Sequence, residues 1–219
     1  MIDALIPVWK PVDWTSFDVV KKLRNQIKPT KVGHAGTLDP FAEGVLILCT
    51  GKYTKQVESF MDKEKEYLAE IQLGVETDTL DPTGKVVGTA DVPRLSQDDI
   101  NLVLKEFIGE IKQEPPMFSA LKINGQPLYK LARKGIIFPR KNRAVIIYDI
   151  QLINFTDRTI TFKVVCGRGT YIRSLAKDIA EKLNTVGHLE SLMRTRIGGY
   201  NQSACIAVKD LSKWISART

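Results

Sequence analysis

Gly33-His34-Ala35-Gly36-Thr37-Leu38-Asp39-Pro40-Phe41-Ala42-Glu43-Gly44, followed at once by Val45-Leu46-Ile47-Leu48-Cys49, decides how the rest of the chain is read. From Thr30 to Gly44 the sequence holds three glycines and a proline without sustained periodicity, which makes a long loop, and such loops in compact domains are disproportionately functional. It presents a carboxylate fixed beside a proline, with an imidazole five residues upstream. The residues alone leave two readings open. Asp39 is a reactive carboxylate, or it caps the next segment, because Asp before Pro is a common turn opener. The apolar run after the loop is a short buried strand closed by Gly51.

Upstream, Trp9–Trp14 reads as an extended or turning opening. A helix follows, capped by Thr15 or Ser16, with Asp18 at its positive end and Phe17, Val20, Leu23, Arg24 and Ile27 on one face; Pro29 ends it. Downstream, Glu66–Leu73 alternates, placing Tyr67, Ala69, Ile71 and Leu73 on one side of a half-buried strand. Asp81-Pro82-Thr83-Gly84 is a turn before a strand at Lys85–Ala90. Ser96 with Asp99 opens a helix whose stripe is Ile100, Val103, Leu104, Phe107 and Ile108, ending at Gly109. Ala144–Ile153 and Thr159–Cys166 read as strands, Ile172–Leu183 as a helix, and Lys209–Ala217 as a short last one. Strands and helices intermix without the alternation of a doubly wound sheet, so the fold class is α+β with a mixed, mostly antiparallel sheet.

The 219 residues fit one domain with an insertion, and 43% hydrophobic content supplies a substantial core. No window has the apolar length of a membrane span, and the N-terminus lacks the order of a signal peptide, so the chain is expected in the cytosol. Cys49, Cys166 and Cys205 stand far apart and form no metal motif with His34 and His188; they read as buried reduced thiols. A net charge of +7 favours polyanionic partners, above all nucleic acid. The charge is concentrated: Lys122, Lys130, Arg133, Lys134, Arg140, Lys141 and Arg143 crowd the stretch 112–142 and its edge, which reads as an inserted arm over the surface.

The run Gly33–Leu46 resembles the signature of the TruB family of pseudouridine synthases, in which the Asp of the LDP segment is catalytic. Further blocks follow in family order. Lys10-Pro11 with Thr15-Ser16 is similar to the opening segment, with Asp13 in place of the usual glycine. Lys65-Glu66-Tyr67 leading to Gly74–Asp81, Gln113–Lys122 with Gly125, Tyr129, Ala132 and Arg133, and Cys166–Leu175 resemble the remaining blocks.

The resemblance implies a pseudouridine synthase fold in one catalytic domain over 1–219, with the arm at about 112–142 and no C-terminal PUA domain. It implies an enzyme that isomerises uridine 55 in the T-arm of tRNA. Asp39 would be the catalytic carboxylate and Arg173 its ion-pair partner. Tyr67 would lie against the flipped base, Tyr171 and Leu192 would complete the pocket, and His34 would wedge into the loop that the bases leave. Lys122, Tyr129, Lys130 and Arg133 would clasp RNA. Because the reaction is an isomerisation, neither metal nor nucleotide cofactor is expected, and the enzyme is expected to act as a monomer without an obligate protein partner. Taken singly, Arg173 also fits a helix-surface charge, Tyr67 and Leu192 fit core packing, and His34 fits a turn. His188 reads as structural, and Asp81 as support for the site or for a turn. The rival functions are a guide-dependent rRNA pseudouridine synthase and a non-catalytic tRNA-binding folding chaperone; no RRM, KH or zinc-knuckle signature supports a generic RNA-binding module.

Overall fold

The computed structural model describes residues 2–123, 125–136 and 138–218; the side chains of Lys122 and Ile123 lie outside the description. In chain order the elements are β1 (Ala4–Lys10), α1 (Ser16–Gln26), β2 (Val32–His34), β3 (Glu43–Thr50), α2 (Val57–Met61), β4 (Lys65–Leu73), β5 (Val75–Thr77) and β6 (Val86–Thr89). There follow α3 (Gln97–Lys105), β7 (Gly109–Gln113), β8 (Lys122–Ile123), β9 (Gln126–Pro127), α4 (Leu128–Ala132), β10 (Arg143–Phe155) and β11 (Thr159–Cys166). The chain ends with α5 (Ile172–Lys182), β12 (Gly187–Ile197), β13 (Tyr200–Asn201), β14 (Ile206–Ala207) and α6 (Leu211–Ser216). They form two compact units, Met1–Tyr67 with Leu192–Thr219, and Leu68–Ser191. The boundary falls within β4 and β12.

In the first unit the strand order is β14-β1-β3-β12, with β2 also on β3 and β13 on β12. Pairing is mixed: β1 and β3 run antiparallel from Ala4↔Thr50 to Lys10↔Gly44, whereas β3 meets β12 in parallel at Met193↔Glu43 and Arg194↔Gly44. Strand β3 is covered on both faces. Leu46 and Leu48 pack with Val19, Val20 and Leu23 of α1 and Leu211 and Ile215 of α6, while Val45, Ile47 and Cys49 pack with Ala35, Phe60 and Ile197. Burial on both faces is why this strand is a continuous apolar run rather than an alternating one.

Helix α1 starts where the sequence places it. Thr15 accepts from the backbone of Asp18, whose carboxylate accepts from the backbone of Thr15, a complete capping box. Its buried face is Ser16, Val19, Val20 and Leu23. Phe17, expected on that face, is 56% exposed and lies under the Arg24 guanidinium at 5.6 Å, because at about 3.6 residues per turn it stands about 100° round the helix from the buried Ser16.

The second unit orders its main strands β12-β4-β11-β10-β7, with β5-β6 and β8-β9 as separate two-stranded ribbons. The alternation of β4 is as expected: Tyr67, Ala69, Ile71 and Leu73 are buried. Ser96 and Asp99 form the second capping box, at α3. The base of the arm departs from the surface reading, because Gln113, Pro115, Pro116 and Ser119 are buried, as are Leu128 and Leu131 of α4.

Candidate active site

The Asp39 segment is stitched to the first unit along its whole length. Ser16, at the buried start of α1, donates from Oγ to the Leu38 carbonyl at 3.1 Å and accepts from the Leu38 amide at 2.9 Å. The Pro40 carbonyl accepts from the Asp13 amide at 2.8 Å and from Lys10 Nζ at 3.2 Å. Arg194 Nη2 and Nη1 donate to the carbonyls of Gly36 and Thr37 at 3.2 and 3.4 Å. Ala42 turns back through its amide to the Asp39 carbonyl at 3.2 Å. A sequence without periodicity therefore folds into a single backbone shape, held by side chains from β1, α1 and β12. Asp39 itself is partly exposed at its surface.

Two of these side chains are buried cations. Lys10 is fully buried, and Nζ also donates to the Pro11 and Trp14 carbonyls at 2.8 and 2.6 Å. Burial lowers its pKa to about 8, opposed by the negative charge of Asp39 and aided by Arg194. Asp13, which replaces the family glycine, adopts φ 65°, the left-handed conformation that a glycine takes without strain. His34 ends β2, and its Nδ1 is buried without a hydrogen-bond partner. Burial first, then Arg194, hold its pKa below the ordinary value, which favours the neutral imidazole.

In the second unit, Arg173 occupies the first turn of α5 and is buried. Its Nη1 donates to Asp81 Oδ2 at 3.1 Å and to the Thr79 carbonyl at 2.9 Å, and Nη2 donates to the Phe118 carbonyl at 2.8 Å. This excludes the surface-charge reading of Arg173. Asp81 is a hub: its Oδ1 accepts from Thr79 Oγ1 at 2.6 Å and from the Thr83 amide and hydroxyl at 3.0 and 2.6 Å. The Tyr171 amide donates to Gln113 Oε1 at 2.7 Å, and Ser174 Oγ donates to the Glu114 carbonyl at 2.7 Å. The arm's base is thus fastened to the start of α5 at three points. His188 is buried, with Nδ1 at 2.8 Å from the Val75 carbonyl and Nε2 at 3.2 Å from Glu190.

Tyr67 and Leu192 are buried in the first unit, and Tyr171 is half-buried in the second. On the arm, Lys130 and Arg133 are exposed, and the Arg133 guanidinium lies 5.7 Å from the Tyr129 ring centre. The Lys122 side chain lies outside the described residues. Sequence reasoning missed Lys10, Ser16 and Arg194 as supports of the loop. For Lys10 and Arg194 the available signal was a charged residue inside otherwise apolar strands; Ser16, at the start of α1, carries none.

The N-terminal domain model of TruB family pseudouridylate synthases matches residues 24–172, and the C-terminal domain model of tRNA pseudouridylate synthase B matches 173–219. A tRNA pseudouridine synthase B of Clostridium kluyveri is 47% identical over 96% of this chain and 72% of its own length. One from Phocaeicola vulgatus is 44% identical over 94% of this chain and 90% of its own. Among solved structures, a Cbf5-Nop10-Gar1 complex matches with a TM-score of 0.75 and 31% identity, over 96% of this chain. An H/ACA ribonucleoprotein bound to a substrate RNA containing 2'-deoxyuridine matches with a TM-score of 0.71 and 29% identity, over 98% of this chain. This chain spans 54% and 55% of those two chains. By the extent of these matches and the pseudouridine synthase fold they share with it, the chain belongs to the TruB family of pseudouridylate synthases.

Proposed function

We propose that the protein converts uridine 55 in the T-loop of tRNA to pseudouridine, with Asp39 as the catalytic carboxylate. The observation that carries the reading is the 47% identity, across 96% of this chain, to a relative named tRNA pseudouridine synthase B. The stitched segment adds physical support, since a reacting carboxylate has to be held in one geometry. The reaction breaks the C1′–N1 bond, turns the uracil and joins C1′ to C5. The C5 proton is lost and N1 gains one, so no oxidant, hydrolytic water or cofactor enters the balance. Asp39 acts on the nucleoside either by adding to the base or sugar or by assisting elimination at the sugar.

The other roles follow the family resemblance. Arg173 supplies the positive charge that keeps Asp39 ionised. Tyr67, Tyr171 and Leu192 enclose the flipped base, and neutral His34 stacks where the loop has opened. Lys122, Tyr129, Lys130 and Arg133 hold phosphates. The enzyme acts as a monomer in the cytosol and needs no guide.

The test uses a full tRNA, its T-arm stem-loop, and a stem-loop with a scrambled loop, with EDTA throughout. Product at the position of uridine 55 on the first two alone is the expected result. The likeness to Cbf5 chains favours one second reading, a guide-dependent synthase. Activity that appears only with a guide RNA or partner protein would move the chain to that class.

A further inference from the structure

Arg194 is the largest fully buried side chain among the described residues, and it stands in β12 opposite Gly44. Its Nε donates to the Val45 carbonyl at 2.7 Å, and its two terminal nitrogens reach Gly36 and Thr37 at 3.2 and 3.4 Å. All three acceptors are backbone carbonyls. Two precede Asp39 in sequence and one follows it, so a single planar group ties together both ends of the segment that carries the carboxylate.

A buried cation is costly unless its surroundings require it. The three carbonyls are met by three separate nitrogens of one planar fork, Nε and both Nη atoms, and an ammonium, whose donors radiate from a single atom, cannot span the same three positions. The backbone is shaped to admit it. Gly44 adopts φ 121°, and a Cβ there would collide with the backbone of Arg194. Ser16 on Leu38 and Lys10 on Pro40 hold the middle of the segment, but neither reaches its two ends.

We propose that Arg194 is a positioning residue for the reaction: its guanidinium clamps Gly36 and Thr37 against Val45 and thereby sets where the Asp39 carboxylate points. The inference rests on Asp39 being the catalytic carboxylate. It predicts a defect in the chemical step, with RNA affinity and fold intact.

The experiment compares wild type with Arg194→Lys, Arg194→Met and Asp39→Asn, measuring single-turnover rate, RNA dissociation constant and melting midpoint on the full chain. Arg194→Lys should slow the chemical step by about 30- to 100-fold, the scale expected when a reacting group is misplaced by about 1 Å. Arg194→Met should be slower still, so that the rate ranks Arg, Lys, Met. RNA affinity should stay within about threefold in both, because only the transition state loses support. A rate for Arg194→Lys within about threefold of wild type overturns the proposal. So does a slowdown that merely follows loss of folded protein, or a failure of both variants to fold, since either assigns Arg194 to stability alone. An active Asp39→Asn would sink the reading beneath the inference, whereas an inactive Asp39→Asn beside a fast Arg194→Lys would sink the inference only.

Discussion

The guanidinium of Arg173 lies 3.1 Å from Oδ2 of Asp81, and both side chains are almost wholly removed from solvent. The same guanidinium takes two carbonyls, of Thr79 and Phe118, in a second and a third direction. Lysine cannot reproduce this fork. Arg173→Lys should therefore lose about 100-fold or more in single-turnover rate, the scale of removing one preorganised donor from an active site. A near-wild-type rate would contradict the role proposed for Arg173.

Lys10 gives a pH-dependent stability with a definite sign. Its folded-state pKa is lowered from 10.5 to about 8, chiefly by burial. Between those values the unfolded chain binds the proton that the folded chain has lost, so stability rises with pH across that window. Relative to Lys10→Met, wild type should gain about 3 kcal/mol between pH 8 and pH 10.5, because one proton held only by the unfolded chain is worth about 1.36 kcal/mol for each pH step of one. Denaturant unfolding of both proteins across the window checks this. A constant difference would mean that the Lys10 proton is bound alike in both states.

Gly44 and Gly109 both adopt positive φ, but only at Gly44 would a Cβ meet another strand. Gly109→Ala should cost about 1 kcal/mol, the conformational penalty alone. Gly44→Ala adds a collision with the backbone of Arg194 and should cost about 3 kcal/mol or more, lowering the melting midpoint by about 10 °C for a chain of this size. Equal costs for the two substitutions would mean that the β3–β12 contact yields freely.

Much of this was legible in the sequence, and the failures have physical causes. Thr15 with Asp18 and Ser96 with Asp99 announce their helices because capping is local chemistry. The alternation of β4 is visible because every second side chain is apolar. Strand β12 was hidden, since Glu190, Arg194 and Arg196 interrupt its apolar pattern, and Arg194 is buried to serve carbonyls distant in sequence. Strand β2 was hidden inside the loop because its three residues form a strand only through pairing with β3. Asp39 and Arg173 are singled out by the resemblance alone. Asp81 looked equally like a turn residue, and its contact with Arg173, 92 positions away, cannot be read from spacing.

Lys130 and Arg133 project from the arm into solvent. If they meet phosphates, charge reversal at either should flatten the dependence of log affinity on log salt by about one unit per lost contact. Filter binding of tRNA across a salt series measures it. An unchanged slope for the double reversal would remove the arm from the RNA interface.

The most direct test of the central claim is carbodiimide treatment and primer extension on tRNA after a single turnover with wild type and with Asp39→Asn. An amide keeps the shape of the side chain and loses its negative charge, so the stitched segment should persist while the chemistry stops. The account predicts a strong stop at the position of uridine 55 with wild type. With Asp39→Asn it predicts none, at RNA affinity within about threefold of wild type. A stop at another uridine would contradict the site of action, and an Asp39→Asn rate within about tenfold of wild type would contradict the role of the carboxylate.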